Sequence, residues 1–265
     1  MTELPRAKKS LGQHWLTDSE ALKAIVEAAD VRADDTILEI GPGMGTLTKF
    51  LTEQAKQVVA VEFDRELARL LPAEVPAANL KVVQQDILKF NLTTMPAGYK
   101  VVANIPYYLT SNLVRTLSES ANPPATAVLL VQKEVAERVA AKPGAMSLLS
   151  VSAQYYWEVD LGREVPAALF TPAPKVDSRI LVLKRRVEPL FKDVDEKKFF
   201  RLVKAGYATR RKTLLNSLGA GLRQGKAATE ALLATANIDP GLRAQALDLE
   251  DWHRLYLAAM HAKLF

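Results

Sequence analysis

Asn104, Ile105, Pro106 and Tyr107 follow the apolar run Lys100-Val101-Val102-Ala103, a pattern that predicts a buried strand delivering them to the edge of a sheet. Such a tetrad suits one chemical task, gripping an amino group that belongs to an aromatic base. The exocyclic nitrogen of adenine is a weak nucleophile because its lone pair is delocalised into the ring. A side-chain amide oxygen and a nearby backbone carbonyl can each accept one N–H, drawing that nitrogen towards a tetrahedral, nucleophilic shape. Pro106 would fix the backbone so that a carbonyl points at the substrate. Tyr107 would offer a stacking surface for a base taken out of its stack. Asn-x-Pro is also a common strand-to-loop turn, so the tetrad has to be weighed with its neighbours.

Glu39-Ile40-Gly41-Pro42-Gly43-Met44-Gly45-Thr46 closes an earlier predicted strand and opens a helix. Gly41, Gly43 and Gly45 permit a tight turn and let a ligand approach the backbone closely. The spacing is G-x-G-x-G, whereas the dinucleotide fingerprint is G-x-G-x-x-G, so phosphate cradling is not the preferred reading. An acidic residue just before such a turn fits a ligand that carries an amino acid and a sulfonium. Glu62 ends the next strand, 21 residues after Gly41, where an acid typically holds ribose hydroxyls. Asp64 reads as an N-cap. Asp86 ends a third strand and precedes Ile87, a pairing able to accept from an adenine amino group while an apolar side chain packs on the ring. Each acid alone is more often a solvated strand end. Three such ends in succession, followed by Asn104, make an adenosyl pocket the better account.

The elements that must position these residues are legible. Thr17-Asp18-Ser19-Glu20 reads as a capping box, with Leu22, Ile25, Val26 and Ala29 forming one apolar stripe at helical spacing. Strands are predicted at Thr36–Ile40, Val58–Glu62, Lys81–Gln85, Lys100–Ala103 and Ala127–Val131, and further ones at Ser150–Trp157 and Ser178–Leu183. Helical patterns over Leu47–Gln54 and Asp64–Leu71 lie between the first strands, which implies βαβ units and a parallel sheet. Gln132–Ala141 reads as helix, broken by Lys142-Pro143-Gly144. From Lys184 to Lys212 there are eleven Lys or Arg against four Asp or Glu, an excess of seven that exceeds the whole chain's +5. Beyond it the predicted elements are helices at Glu196–Thr209, Arg211–Leu218, Ala227–Ala236 and Leu249–Lys263. The expected division is residues 1–187 and a small all-helical domain over 188–265.

Composition narrows the function classes. A 265-residue chain with an apolar fraction of 49% and a charged fraction of 25% is that of an ordinary globular protein. No apolar run reaches the roughly 18 residues of a membrane span, and the basic stretch Met1–Leu16 lacks the apolar core of a secretory signal. Zero cysteines exclude disulfides, thiolate catalysis and Cys-ligated metals. His14, His253 and His261 give no metal-ligand spacing, so no metal is expected. The net charge of +5 favours an acidic partner. A cytoplasmic, metal-free, nucleic-acid-directed protein is expected.

Six motifs occur in one order: Lys8-Lys9-Ser10-Leu11-Gly12-Gln13-His14-Trp15-Leu16, Glu39–Gly45, Asn104–Tyr107, Gln132–Arg138, Phe170–Ser178 and Arg210–Leu218. In this the chain resembles the KsgA-type ribosomal RNA adenine dimethyltransferases over nearly its whole length. The resemblance implies a Rossmann-like α/β domain with a mostly parallel seven-stranded sheet, followed by a small helical domain. It also implies S-adenosyl-L-methionine as methyl donor and N6,N6-dimethylation of two adjacent adenines near the 3′ end of small-subunit rRNA. Cofactor contacts would fall on His14, Leu16, Gly41, Glu62, Asp86 and Asn104, with Gly43 and Gly45 completing the turn, and residues 1–16 would contact cofactor and RNA. Asn104 and the Ile105 or Pro106 carbonyl would be the acceptors, while Tyr107 and Phe170 would hold the extruded adenine. Lys175, Arg210, Arg211 and Lys212, with Arg6, Lys8 and Lys9, are the candidates for phosphate contact, and the protein is expected to act as a monomer.

Two departures stand out. Position 14 is His where many members have Asn, and Lys142–Ser150 is about two residues shorter than the usual loop and lacks its aromatic–Gly pair. Two rival readings are a large-subunit rRNA methyltransferase of the macrolide-resistance type and a catalytically silent ribosome-assembly protein. The Arg210–Leu218 block argues against the first, and the intact Asn104–Tyr107 and Gly41–Gly45 against the second.

Overall fold

Apolar runs buried on both faces become the central strands of a sheet. The computed structural model describes Lys8 and residues 11–265. In it, β2 (Thr36–Ile40), β3 (Gln57–Glu62), β4 (Leu80–Gln84), β5 (Lys100–Asn104) and β6 (Thr126–Gln132) run parallel, as the βαβ rhythm predicts. The inner residues of β5 and β6 are all buried. β9 (Ser178–Arg185) inserts antiparallel between β6 and the edge strand β7 (Trp157–Val165), giving the order β4-β3-β2-β5-β6-β9-β7. β7 is mostly open to solvent and irregular between Leu161 and Glu164, which blunts an otherwise unpaired edge. The seven-stranded, mostly parallel sheet is Rossmann-like.

α1 (Ser19–Ala28) buries Leu22, Ile25 and Val26, but Asp18 caps it in place of Thr17, accepting from the Ala21 N–H at 2.8 Å. α2 (Thr46–Gln54) and α3 (Arg65–Glu74) link β2 to β3 and β3 to β4, and Asp64 caps α3 as expected. α4 (Thr110–Ser118) links β5 to β6, and α5 (Lys133–Val139) follows β6.

One predicted strand is overturned. Ser150–Trp157 is the greater part of α6 (Leu148–Tyr156), and β7 begins only at Trp157. The alternation of Val151, Ala153 and Tyr155 suits a strand, but Ser147 and Ser150 exchange side-chain and backbone hydrogen bonds at 2.6 and 3.2 Å. That reciprocal cap starts a helix, and it outweighs a short period-two pattern.

Packing divides the chain into two compact units, one of residues 1–137 and 157–185, the other of residues 138–156 and 186–265. The helical unit therefore takes in a segment lying inside the expected 1–187 division, because Met146, Val151 and Tyr155 share a core with Phe199, Leu218 and Trp252. Its other helices are α7 (Glu196–Tyr207), α8 (Leu214–Leu222), α9 (Lys226–Thr235) and α10 (Leu249–His261). α8 starts three residues later than the sequence suggests, leaving Arg211 and Lys212 in the preceding turn. The short loop at Lys142–Ser147 is tied down within this unit, where the Gly144 N–H donates to the Gln245 carbonyl at 2.8 Å. No helix among the described residues is long and apolar enough to cross a membrane.

Candidate active site

Strand order reverses where β2 pairs with β3 on one side and β5 on the other, and the carboxyl ends of parallel strands open a crevice at such a point. Ile40 lies beside Val61 and Ala103 in the ladder, so the next residues, Gly41, Glu62 and Asn104, line up along the sheet edge. The Gly41 N–H donates to the Val61 carbonyl at 2.9 Å, and a Cβ on Gly41 would sit 3.9 Å from the Asn104 carbonyl. A cavity of about 240 Å³ opens here within the sheet unit. His14, Leu16, Gly41, Gly43, Glu62 and Asp86 line it, as do Asn104, Pro106, Tyr107 and Phe170. Gly45 stands apart at the start of α2 with φ of 78°, where an added Cβ would come 2.6 Å from Val75 Cγ2. Its lack of a side chain serves the packing of α2 against α3.

One wall is the segment Leu11–Leu16. Leu16 and Trp15 form β1 (Trp15–Leu16), which pairs antiparallel with β8 (Phe170–Thr171). That ladder carries Phe170 to the cavity from a distant part of the sequence. Phe170 is only 4% exposed and also packs with Leu16, Ile25 and Val165, so it is a core residue as well as a lining one. Lys8 Nζ reaches the Asp64 carboxylate at 2.7 Å and Gln13 Nε2 donates to it at 3.4 Å. Gly43 has φ of 58°, and the Trp15 ring lies so close that a Cβ there would meet its Cζ3 at 2.7 Å. His14 Nδ1 donates to the Pro172 carbonyl at 2.7 Å, and its ring stacks on Tyr107 with centroids 6.0 Å apart. Arg6 and Lys9 lie outside the described residues.

The acidic side of the cavity is electrostatically unusual. Neither oxygen of Glu39 meets a hydrogen-bond partner, although the side chain is fully buried. Burial pushes its carboxyl up to about 8, with the nearby Thr48 hydroxyl opposing the rise and the Glu62 charge adding to it. Glu62 accepts from the Gly43 N–H at 3.0 Å and the Asp64 N–H at 2.8 Å. Burial still raises its carboxyl above the usual range, and those backbone donors restrain the shift. Asp86 lies two residues past β4 and caps a 3₁₀ turn over Ile87–Lys89, accepting from the Leu88 N–H.

The opposite side is neutral. Asn104 is half-buried, and its amide has no hydrogen-bond partner among the described residues. The Pro106 carbonyl accepts from the Leu109 N–H at 3.0 Å, closing a 3₁₀ turn over Tyr107–Leu109. No such donor reaches the Ile105 carbonyl among the described residues, which makes it the freer of the two expected acceptors. Tyr107 Oη and Ser178 Oγ share a hydrogen bond at 2.8 Å, and burial raises the phenol above its ordinary range.

The basic candidates are not among the residues that line this cavity. Lys175 is exposed on the loop between β8 and β9 of the sheet unit. Arg210, Arg211 and Lys212 are exposed on the turn between α7 and α8 of the helical unit. Among the lining residues to which sequence reasoning gave no role of their own are Trp15, Gln13 and Tyr108. Trp15 and Gln13 act through contacts with Gly43 and Asp64 that only the β1–β8 ladder and the Lys8 bridge bring about. Tyr108 carried a signal, a second aromatic directly after Tyr107.

A family model described as "Ribosomal RNA adenine dimethylase" matches residues 5–260. A Dehalococcoides mccartyi protein named "Ribosomal RNA small subunit methyltransferase A" is 42% identical over 260 residues, covering 95% of this chain and 88% of that protein. A solved dimethyladenosine transferase from Plasmodium falciparum superposes with a TM-score of 0.80 at 26% identity, over 94% of this chain and 98% of that one. The 23S rRNA methyltransferase ErmE does so with a TM-score of 0.74 at 31% identity, over 92% and 98%.

Proposed function

The chain belongs to the ribosomal RNA adenine dimethylase family, whose members are S-adenosylmethionine-dependent methyltransferases, and on that premise we propose that it dimethylates N6 of two adjacent adenines near the 3′ end of small-subunit rRNA. The small-subunit assignment is supported by the 42% identity to proteins named for that subunit, against 31% to the large-subunit enzyme. The observation that carries the chemistry is the placement of Asn104, with its unpartnered amide, one strand from the Gly41 turn at the same cavity.

S-adenosyl-L-methionine, when bound, supplies an electrophilic methyl carbon on a sulfonium. The residues present fit that molecule. Glu39 is a buried carboxyl at the cavity with both oxygens unpartnered, suited to give up its proton and pair with a ligand ammonium. Gly43 keeps the turn bare of side chains, Glu62 suits ribose hydroxyls, and Asp86 with Ile87 suits an adenine edge and face. His14 and Leu16 close the cavity from the N-terminal side. Gly45 contributes by holding the turn at the head of α2.

The Asn104 amide oxygen and the Ile105 carbonyl accept the two N–H bonds of the target amine. They thereby localise its lone pair and stabilise the positive charge that develops on nitrogen. Pro106 fixes the direction of that carbonyl, and Tyr107 stacks on the base while Ser178 anchors its hydroxyl. Phe170 backs the same space from the core. Such in-line transfer needs no strong base, because alignment at near-attack distance supplies much of the rate. Lys175, Arg210, Arg211 and Lys212 contact RNA phosphates. The protein acts as a monomer in the cytoplasm on the assembling small subunit.

Incubating the protein with methyl-labelled donor and separate small- and large-subunit particles tests this. Label is expected in small-subunit rRNA alone, recovered as N6,N6-dimethyladenosine. Label in large-subunit rRNA alone would move the target to the other subunit, and label in neither would overturn the reading.

A further inference from the structure

Six large apolar side chains are markedly exposed among the described residues, and three of them, Phe63, Leu88 and Tyr108, line the cavity. Phe63 and Leu88 follow Glu62 and closely follow Asp86, on the acidic side. Tyr108 stands on the neutral side, 68% exposed, next in the chain to Tyr107. The two residues are consecutive in one 3₁₀ turn, so their side chains leave it about 120° apart, Tyr107 towards Ser178 and Tyr108 towards Gly12. Tyr107 is half-buried and anchored through Ser178, whereas the Tyr108 hydroxyl has no partner among the described residues.

The Tyr108 ring is supported on one edge. A Cβ built on Gly12 would meet its Cε1 at 3.6 Å and its Cδ1 at 3.7 Å, so the N-terminal segment backs the ring and the rest of it stays open. Folding gains little from leaving so much aromatic surface in water. A base extruded from RNA brings its neighbour to the mouth of the pocket by covalent necessity, and flanking contacts there set sequence context. Every nucleobase has a face that stacks on an exposed aromatic ring.

We infer that Tyr108 is a stacking platform for the nucleobase adjoining the target adenine, a flanking-nucleotide subsite at the mouth of the cavity. The inference rests on the reading that the target base enters beside Tyr107. The ring grips substrate before and during transfer alike, so its loss weakens binding without slowing the bound complex.

The test compares wild-type protein with Tyr108→Ala, Tyr108→Leu and Tyr108→Phe on purified small-subunit particles, reading KM, kcat and donor affinity. Tyr108→Ala and Tyr108→Leu are expected to raise KM for particles about tenfold with kcat and donor affinity unchanged, and Tyr108→Phe to behave as wild type. An unchanged KM in Tyr108→Ala overturns the inference, as does full rescue by leucine, which has apolar bulk and no ring face. A parallel loss of donor affinity also overturns it, since Tyr108 would then only prop the segment around Gly12. Failure of the wild-type protein to label the particles is a different result, and it removes the functional reading itself.

Discussion

On one side of the cavity the ends of β2 and β3 present Glu39 and Glu62, two buried carboxylates with raised affinity for protons. On the other, the end of β5 presents Asn104 and the Tyr107–Leu109 turn, which carry no formal charge. The two sides face different ligand chemistry. On the proposed function, a cationic, hydroxyl-rich donor meets carboxyls already taken out of water, and at Glu39 its ammonium replaces a held proton and supplies the partner that the buried group lacks. An amine that becomes positive only during reaction is better served by oriented neutral dipoles, which bind the ground state weakly and the developing charge strongly. Binding and rate should therefore separate along this divide.

The sharpest way to break the comparison is Asn104→Ala. Turnover to the doubly modified nucleoside should fall on the order of 100-fold or more, while calorimetry shows donor affinity within a few-fold of wild type. Tyr107→Ala should slow turnover by about ten- to a hundredfold, again sparing the donor. Phe170→Leu is the cleaner probe of its neighbour, because Phe170→Ala would open a core cavity costing about 3–5 kcal/mol. If donor affinity fell in step with turnover for Tyr107, the neutral side would not be the target's side.

The acidic side makes the opposite prediction. Folded Glu39 holds its proton to about 8, against 4.5 for an ordinary carboxyl. Between those values the unfolded chain has released the proton and the folded one has kept it, so ligand-free stability falls as pH rises, by on the order of 1 kcal/mol per unit. Glu39→Gln should reduce that slope in thermal melts between pH 5 and 8 to the part that Glu62 contributes, while lowering donor affinity about tenfold, the loss of one charge-assisted hydrogen bond. A wild-type melting temperature independent of pH over that range would remove Glu39 from this role. The smallest effect belongs to neither side. Replacing Arg210 and Arg211 with neutral residues should lower RNA affinity and flatten its salt dependence by about one unit of slope or less per contact, with an unchanged slope counting against them.

Much of this site was written in local sequence. Gly41, Glu62 and Asp86 each follow an apolar run, and Asn104 closes another, so periodicity alone placed them at successive strand ends. The 3.6-residue stripe of α1 was equally plain, although Asp18 took the capping role expected of Thr17. The α6 segment was misread because Val151, Ala153 and Tyr155 alternate like a strand, and the competing Ser147–Ser150 cap is a weaker sequence signal. Phe170 was expected only to hold the extruded base, since nothing local reveals that it pairs with Leu16 and joins the core.

The chain's sequence determined which polar residues would stand at strand ends and that the strands would deliver them to one edge, because strand and helix periods are properties of short segments. Only tertiary structure decided that Glu39 would be buried without a partner, that Trp15 would seal Gly43, and that the Ile105 carbonyl would remain open while that of Pro106 is used. Those outcomes depend on contacts between residues far apart in sequence, and the loss of water around a carboxylate is set by everything packed about it.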